Sequence, residues 1–153
     1  MIASRLLSSA ALLMLLGGCA LSQNQTPREG ATLYERLGGE PGVAAIVENL
    51  LYRVADDERI VGYFLNTNID YLNGSLQRYI CAKSDGPCRY DGPSMAKAHQ
   101  HMRLADADFN ALVEHLQGAL IEEGVPTGAR NRLLGRLAGD YAEVMRHQGP
   151  PSG

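Results

Sequence analysis

The chain has 153 residues, of which 14 are lysine or arginine and 17 are aspartate or glutamate, so its formal net charge is −3. This length fits a single domain. The basic residues are not clustered enough along the chain to indicate nucleic-acid binding, so we expect no nucleic acid as a partner.

Residues 1–18 have the pattern of an export signal. Arg5 supplies a short basic start, and the run "LLSSAALLMLLGG" that follows is apolar but too short to span a membrane. The ending "LLGGC" resembles the bacterial lipobox, which implies cleavage before Cys19 and acyl chains on that residue. Ala20 at the next position implies sorting to the outer membrane. We therefore expect a lipoprotein that faces the periplasm; the alternative is an ordinary signal peptide with an incidental cysteine.

The predicted mature chain begins with a tether. Residues 19–31 comprise the lipidated Cys19 and a polar stretch with Pro27 and Gly30, which predicts a flexible spacer. Loss of Arg5 with the signal leaves 13 basic side chains against 17 acidic ones, a balance of −4. The protein is then a folded domain attached to a membrane by lipid.

The first predicted helix covers residues 32–37, where Thr32 and Glu35 have the spacing of a capping box and Gly38 and Gly39 stop the helix. A second helix follows Pro41, because apolar residues recur there in steps of three and four. Its inward positions are Val43, Ile46, Val47, Leu50, Leu51 and Val54.

After a break at "DDERI" and "YFLNTN", helical spacing returns for a third long segment. Its expected inward residues are Ile69, Leu72, Leu76, Tyr79 and Ile80. Residues 83–94 contain two glycines and two prolines and predict a loop. A short helical segment with two histidines comes next.

Two more helices complete the predicted domain. Residues 105–123 form one of them, and "GVP" at 124–126 separates it from a last helix that runs to Val144. The sequence contains no convincing strand pattern. We therefore predict an all-α domain over residues 32–147 and a disordered tail over 148–153.

The segment "SMAKAHQHM" raises the question of what its histidines do. On a helix, His99 shares the apolar face with Met95, Ala98 and Met102, whereas His101 points elsewhere. His99 is then either a core histidine bonded to a backbone carbonyl or the axial ligand of a haem iron. Neutral imidazole is the commonest metal ligand, and a haem takes one from an apolar wall.

Five segments in chain order resemble the group 1 truncated haemoglobins. "LYERLGG" is similar to their short first helix and glycine hinge, and "YFLNTN" to the corner whose aromatic residue, here Phe64, stacks on the haem. "GPCRYDGPSMAKAH" is similar to the loop that leads to the proximal ligand. "DFNALVEHL" and "GVP" are similar to the following helix and turn. The resemblance covers most of the predicted mature domain.

This resemblance implies a two-over-two helical sandwich around haem b, with His99 as the proximal ligand of the iron and oxygen, nitric oxide and carbon monoxide as the gases bound. The residues that it places around the haem are Phe64, Leu72, Leu76, Tyr90, Met95, Ala98, His99, Leu104 and Phe109.

The distal side departs from the family, many of whose members carry a tyrosine and a glutamine that donate hydrogen bonds to the gas. Here the helical period places Leu51, Leu72 and Leu76 inward. Tyr52 and Gln77 each lie one position further on, rotated by about 100°. We expect an apolar distal pocket; the alternative is a register shift that brings Tyr52 or Gln77 inward. A lost hydrogen bond to a charged acceptor costs about 1.5–3 kcal/mol, so oxygen should bind about ten- to a hundredfold more weakly.

The loop between the distal and proximal helices is bracketed by Cys81 and Cys88. In an oxidising compartment they form either a disulfide or a pair of reduced buried thiols. The loop also contains Asp85-Gly86-Pro87, where the family usually has Gly-Gly-Pro. Asp tolerates a left-handed backbone better than most residues, so we expect slightly altered loop geometry but no loss of the site.

The remaining histidines and two basic side chains are expected at the surface. His101 and His115 lie off the apolar stripes, and His147 falls in the tail. Lys97 and Arg103 flank the ligand helix, where they either pair with haem propionates or remain solvated.

The functional prediction is reversible binding of diatomic gases by a haem protein that works with an unidentified reductase. Nitric oxide dioxygenase activity is an alternative, although an apolar pocket weakens it because that reaction needs stably held oxygen. A gas or redox sensor acting through a partner is another alternative, and a structural lipoprotein in which His99 only packs is a third.

Overall fold

The computed structural model describes residues 30–146 and residue 148. Within them the chain forms seven α-helices and one 3-10 helix, and no strand, which confirms the all-α prediction. The elements are α1 (Leu33–Arg36), α2 (Gly39–Ala55), the 3-10 helix (Val61–Phe64), α3 (Ile69–Lys83), α4 (Met95–His99), α5 (Asp106–Glu122), α6 (Thr127–Ala138) and α7 (Tyr141–Val144). The predicted signal, Cys19 and most of the spacer lie outside these residues, as do His147 and residues 149–153.

Four helices make two layers. α2 packs against α3 within one layer, α5 packs against α6 within the other, and α2 on α5 and α3 on α6 join the layers. The centre contains Ile46, Val47, Leu120 and Leu133, each 0% exposed. Complete burial of such side chains contributes about 1.5–3 kcal/mol each. This arrangement is the predicted two-over-two sandwich.

No helix among residues 30–146 is both long enough and apolar enough to cross a bilayer.

The start of the domain follows the sequence prediction closely. The Glu35 amide donates to Thr32 Oγ1 at 3.1 Å, and the Thr32 amide donates to Glu35 Oε2 at 2.7 Å, so the capping box is formed. Gly38 takes a left-handed φ of 93° and ends α1 as expected. However, α2 begins at Gly39 rather than after Pro41, because a proline is tolerated in the first turn of a helix.

Three helix predictions were wrong in detail. α4 ends at His99, and His101 and Arg103 have left-handed φ values of 68° and 57°, so Met102 does not continue the helical face of His99. The predicted last helix is divided at Gly139 into α6 and α7. Ile69 is 47% exposed rather than inward, because it lines an open cavity at the start of α3.

The loop after α3 is held by a covalent bond and by an ion pair. Cys81 and Cys88 form a disulfide, which decides between the two states that the sequence left open. Asp85 has the left-handed φ of 61° expected of a residue that replaces glycine, and its carboxylate accepts from Arg136 Nη2 at 2.8 Å. The loop is therefore tied to α3 on one side and to α6 on the other.

Candidate functional site

His99 is the last residue of α4, a five-residue helix whose first turn is capped by the Ser94 side chain. Its Nδ1 lies 2.9 Å from the carbonyl oxygen of Met95. A carbonyl oxygen can only accept, so Nδ1 carries the proton, and in the neutral ring Nε2 then has a free lone pair. This is how metal-binding imidazoles are commonly oriented, with one nitrogen bonded to the protein and the other left for the metal.

Apolar side chains on one face of α3 are left partly uncovered. Leu72 and Leu76 on α3 are half-buried, whereas Ile80 on the same helix is 2% exposed. α4 packs chiefly against α7. Apolar surface that helices leave uncovered is surface that a bound apolar group can bury.

A cavity of about 350 Å³ lies between the end of α2, the 3-10 helix and the start of α3. Its apolar lining includes Leu51, Val61 and Phe64, and its rim carries Tyr52. It therefore brings together two residues of the predicted site, Leu51 and Phe64. Leu72, Leu76 and His99 lie outside this cavity.

Of the two polar residues considered for the distal side, Tyr52 shares the cavity with Leu51 but is largely exposed, and Gln77 is bonded within α3. Tyr52 is 67% exposed on α2. Gln77 donates from Nε2 to Asn73 Oδ1, one turn earlier on α3. Leu51 is half-buried and packs against the core, as does Leu76. No bulge interrupts α2 or α3 to change this register.

Tyr90 anchors the loop that leads to His99. Its ring makes an edge-to-face contact with Tyr79, with centroids 5.0 Å apart, and its hydroxyl donates to the Pro93 carbonyl at 3.1 Å. Tyr79 in turn donates to Asp140, which also accepts from Lys83 Nζ at 2.6 Å. Burial, followed by the contact with Asp140, raises the pKa of Tyr79 above its ordinary value of 10.

The other predicted contacts of the haem lie near α4 and α5. Met95 and Leu104 are half-buried, and Ala98 is exposed. Phe109 makes an edge-to-face contact with Tyr141, with centroids 5.0 Å apart. Lys97, His101 and Arg103 are all exposed.

The burial of two residues was predicted wrongly from the sequence. Gln148 was assigned to a disordered tail, but it is 7% exposed and its side chain bonds the backbone of His99. His115 was expected at the surface, but it is half-buried and its Nε2 donates to Asp57 Oδ2 at 2.5 Å. Neither contact has a local sequence signal, since the partners are 49 and 58 positions apart.

The residues present fit a haem. A haem needs one imidazole nitrogen with a free lone pair and an uncovered apolar wall. Nε2 of His99 supplies the first, and the half-buried faces of Leu51, Phe64, Leu72 and Leu76 supply the second.

Comparison with known proteins supports this fit. The family described as bacterial-like globin matches residues 32–146. The group 1 truncated haemoglobin of Mycolicibacterium paratuberculosis is 34% identical over 110 residues, covering 72% of this chain and 81% of that protein. The group 1 truncated haemoglobin of Tetrahymena pyriformis is 35% identical over 116 residues, covering 76% and 89%.

Solved structures agree with the sequence comparison. The truncated haemoglobin from Tetrahymena pyriformis in its Fe(III) form matches with a TM-score of 0.72 at 31% identity, covering 74% of this chain and 97% of that one. A 2/2 haemoglobin from Synechococcus sp. with covalently attached haem matches with a TM-score of 0.73 at 28% identity, covering 76% and 100%. The chain therefore belongs to the bacterial-like globins, and within them to the group 1 truncated haemoglobins, so it is a haem-binding globin whose ligands are diatomic gases.

Proposed function

We propose that this globin binds its haem iron through His99 and presents an apolar distal side made by Leu51, Leu72 and Leu76. The observation that carries the proximal assignment is the 2.9 Å contact between His99 Nδ1 and the Met95 carbonyl. That contact fixes the tautomer, so that Nε2 is the nitrogen free to bind iron. When bound, the haem supplies an iron that takes this imidazole on one side and a gas on the other.

The apolar distal side is supported by side-chain positions and by spacing. Structures of the Tetrahymena relative have been solved with substitutions at one tyrosine and at two glutamines. The first glutamine follows the tyrosine by 21 positions, and the second follows the first by 4. Leu72 follows Leu51 by 21 positions, and Leu76 follows Leu72 by 4. This chain thus has leucine at three positions with the spacing of those three polar residues.

Leucine at these positions changes which gas is held. Oxygen gains negative charge when it binds ferrous haem, so a nearby donor normally stabilises it. Leucine has no donor, and the loss of such a bond costs about 1.5–3 kcal/mol. Nitric oxide and carbon monoxide gain less charge and lose less. The pocket therefore favours these two gases relative to oxygen.

The proposal extends to the location of the protein. The sequence "LLGGC" with Cys19 as its last residue supports lipidation, export and attachment to the outer membrane through the spacer. Labelling of cells with radioactive palmitate should mark the wild-type protein and leave a Cys19→Ala variant unmarked. Label retained by that variant would contradict the anchor.

The proximal assignment is tested by visible spectroscopy of the protein produced with a haem supply. The wild-type protein should show a Soret band, and His99→Ala should shift or abolish it. His101→Ala is the matched control, because His101 is exposed and lies two positions away. A Soret band that is unchanged in His99→Ala would overturn the assignment.

A further inference from the structure

The backbone around the proposed proximal histidine has little local structure to stabilise it. α4 has five residues, too few to be stable without support from the rest of the fold. It is followed by His101 and Arg103, both with left-handed φ values. Residues other than glycine hold that conformation only where their surroundings enforce it. Something outside the segment must therefore fix the backbone after His99.

The side chain of Gln148 makes contacts of the required kind. Its Nε2 donates to the carbonyl oxygens of His99 and Val144, each at 2.7 Å, and its Oε1 accepts from the Leu104 amide at 2.9 Å. Both amide hydrogens and the amide oxygen are thus used. The residue is 7% exposed.

With these contacts, Gln148 bonds the ends of two helices and also the turn that contains the left-handed residues. His99 and Val144 are the last residues of α4 and α7, and carbonyls at helix ends have no partner inside the helix. The Met102 amide also donates to His99, but at 3.3 Å, so the bond from Gln148 is the shorter one. His99 and Leu104 enclose the left-handed residues, and Gln148 binds both.

We propose that Gln148 is a positioning residue for the proximal ligand, an inference that rests on the proposed role of His99. It holds the peptide from which the imidazole projects and the amide five positions later, so it limits rotation and withdrawal of the ring. The segment just beyond the last helix thereby becomes part of the haem site.

The main test compares three variants of the haem-loaded protein. Gln148→Ala removes all three contacts. Gln148→Glu keeps the size and the acceptor for Leu104 but has no donors when ionised. Gln117→Ala, an exposed glutamine of α5, is the matched control.

Resonance Raman spectra of the ferrous, gas-free protein report the iron–histidine stretch. This band should broaden and move to lower frequency in both Gln148 variants and stay in place in Gln117→Ala. Haem transfer to an acceptor apoprotein should be at least about tenfold faster in Gln148→Ala, which corresponds to about 1.4 kcal/mol. A wild-type band together with a wild-type transfer rate in both Gln148 variants would overturn the proposal.

Amide hydrogen exchange gives a readout that does not depend on gas binding. The Leu104 amide should be protected in the wild type and in Gln148→Glu, and should exchange at least about tenfold faster in Gln148→Ala. An unprotected Leu104 amide in the wild type would also overturn the proposal. Failure of the His99 assignment is recognised separately, because it appears as an unchanged Soret band in His99→Ala.

Discussion

The interface between α2 and α5 and the region around α4 are built in opposite ways. α2 and α5 have 17 residues each and bury apolar stripes against each other, with Ile46, Val47 and Leu120 fully covered. α4 has five residues, none of them buried. The α2–α5 interface is stabilised by the large apolar area that the two helices bury. The region around α4 is stabilised instead by individual bonds to other parts of the chain.

The interface between α2 and α5 should therefore determine the stability of the fold, whereas the region around α4 should determine how haem is held. Apolar burial between long helices does not need a cofactor, so the α2–α5 interface can form before haem arrives. The region around α4 has a disulfide, the Gln148 contacts and a tyrosine pair in place of a core. Changes at the interface should therefore alter global stability, and changes near α4 should alter the haem and its ligands.

The largest effect on the free energy of unfolding is expected from creating a cavity in the α2–α5 interface. Leu120→Ala removes a fully buried side chain of α5, and such a change costs about 2–5 kcal/mol because part of the cavity remains. Urea unfolding should show this loss with haem and without it. Ile121→Ala is the control, since Ile121 is 52% exposed and should change the free energy of unfolding by less than about 0.5 kcal/mol. Equal losses in the two variants would refute the assignment of the core.

Reduction of the disulfide should have the next largest effect. Cys81 and Cys88 are seven positions apart, and opening a loop of that size lowers the free energy of unfolding by about 2.5 kcal/mol in the chain-entropy model. Urea unfolding with and without dithiothreitol measures the change. The double variant Cys81→Ser, Cys88→Ser should not respond to the reductant. If dithiothreitol also leaves the free energy of unfolding of the wild-type protein unchanged, the disulfide does not stabilise the fold.

The proposed distal role of the leucines can be tested by adding a hydrogen-bond donor. Leu51→Tyr should slow oxygen dissociation by about ten- to a hundredfold, because a new bond to a charged acceptor contributes about 1.5–3 kcal/mol. Stopped-flow measurement of oxygen release gives the rate, and carbon monoxide release should change much less.

Tyr52→Phe is the control for that experiment, because the Tyr52 hydroxyl belongs to a side chain that is 67% exposed. It should leave the oxygen rate unchanged. Faster release from Tyr52→Phe would mean that Tyr52 reaches the gas, and the apolar pocket would then be wrong.

Local signals in the sequence predicted the parts of the fold that local physics determines. The capping box of α1 needs only Thr32 and Glu35, three positions apart, and it is present. Asp85 is left-handed, a conformation that its residue type tolerates at a position where the resembled family usually has glycine. The long amphipathic helices follow from apolar spacing, because burial of one face is what stabilises them.

The parts that were missed depend on residues distant in sequence. "SMAKAHQHM" contains no glycine or proline, so nothing in it predicts that α4 ends at His99. That end is bonded by Gln148, 49 positions later. A glutamine followed by "GPPSG" has the composition of a disordered tail. The structure shows otherwise, because the Gln148 side chain bonds three backbone groups that come together only in the folded protein.

The smallest expected effect concerns acid stability at the edge of the α2–α5 interface. Arg59, and then His115, hold the pKa of Asp57 well below its ordinary value of 3.8. A carboxyl whose pKa falls on folding stabilises the fold above its unfolded pKa, and this contribution is lost as pH falls through the folded pKa. The free energy of unfolding should therefore decline below about pH 4 in the wild type and decline less steeply in Asp57→Asn.

The slope should be shallow because Arg59 has a side chain that is 56% exposed, so water and salt screen the pair. Urea unfolding at a series of pH values in low salt measures it, and added salt should reduce the difference between the two proteins. Glu58→Gln, at the exposed neighbouring position, should keep the wild-type slope. If Asp57→Asn and the wild type lose stability in parallel down to pH 2, the Asp57 pair is not what links α5 to the end of α2, and burial alone holds that edge of the interface.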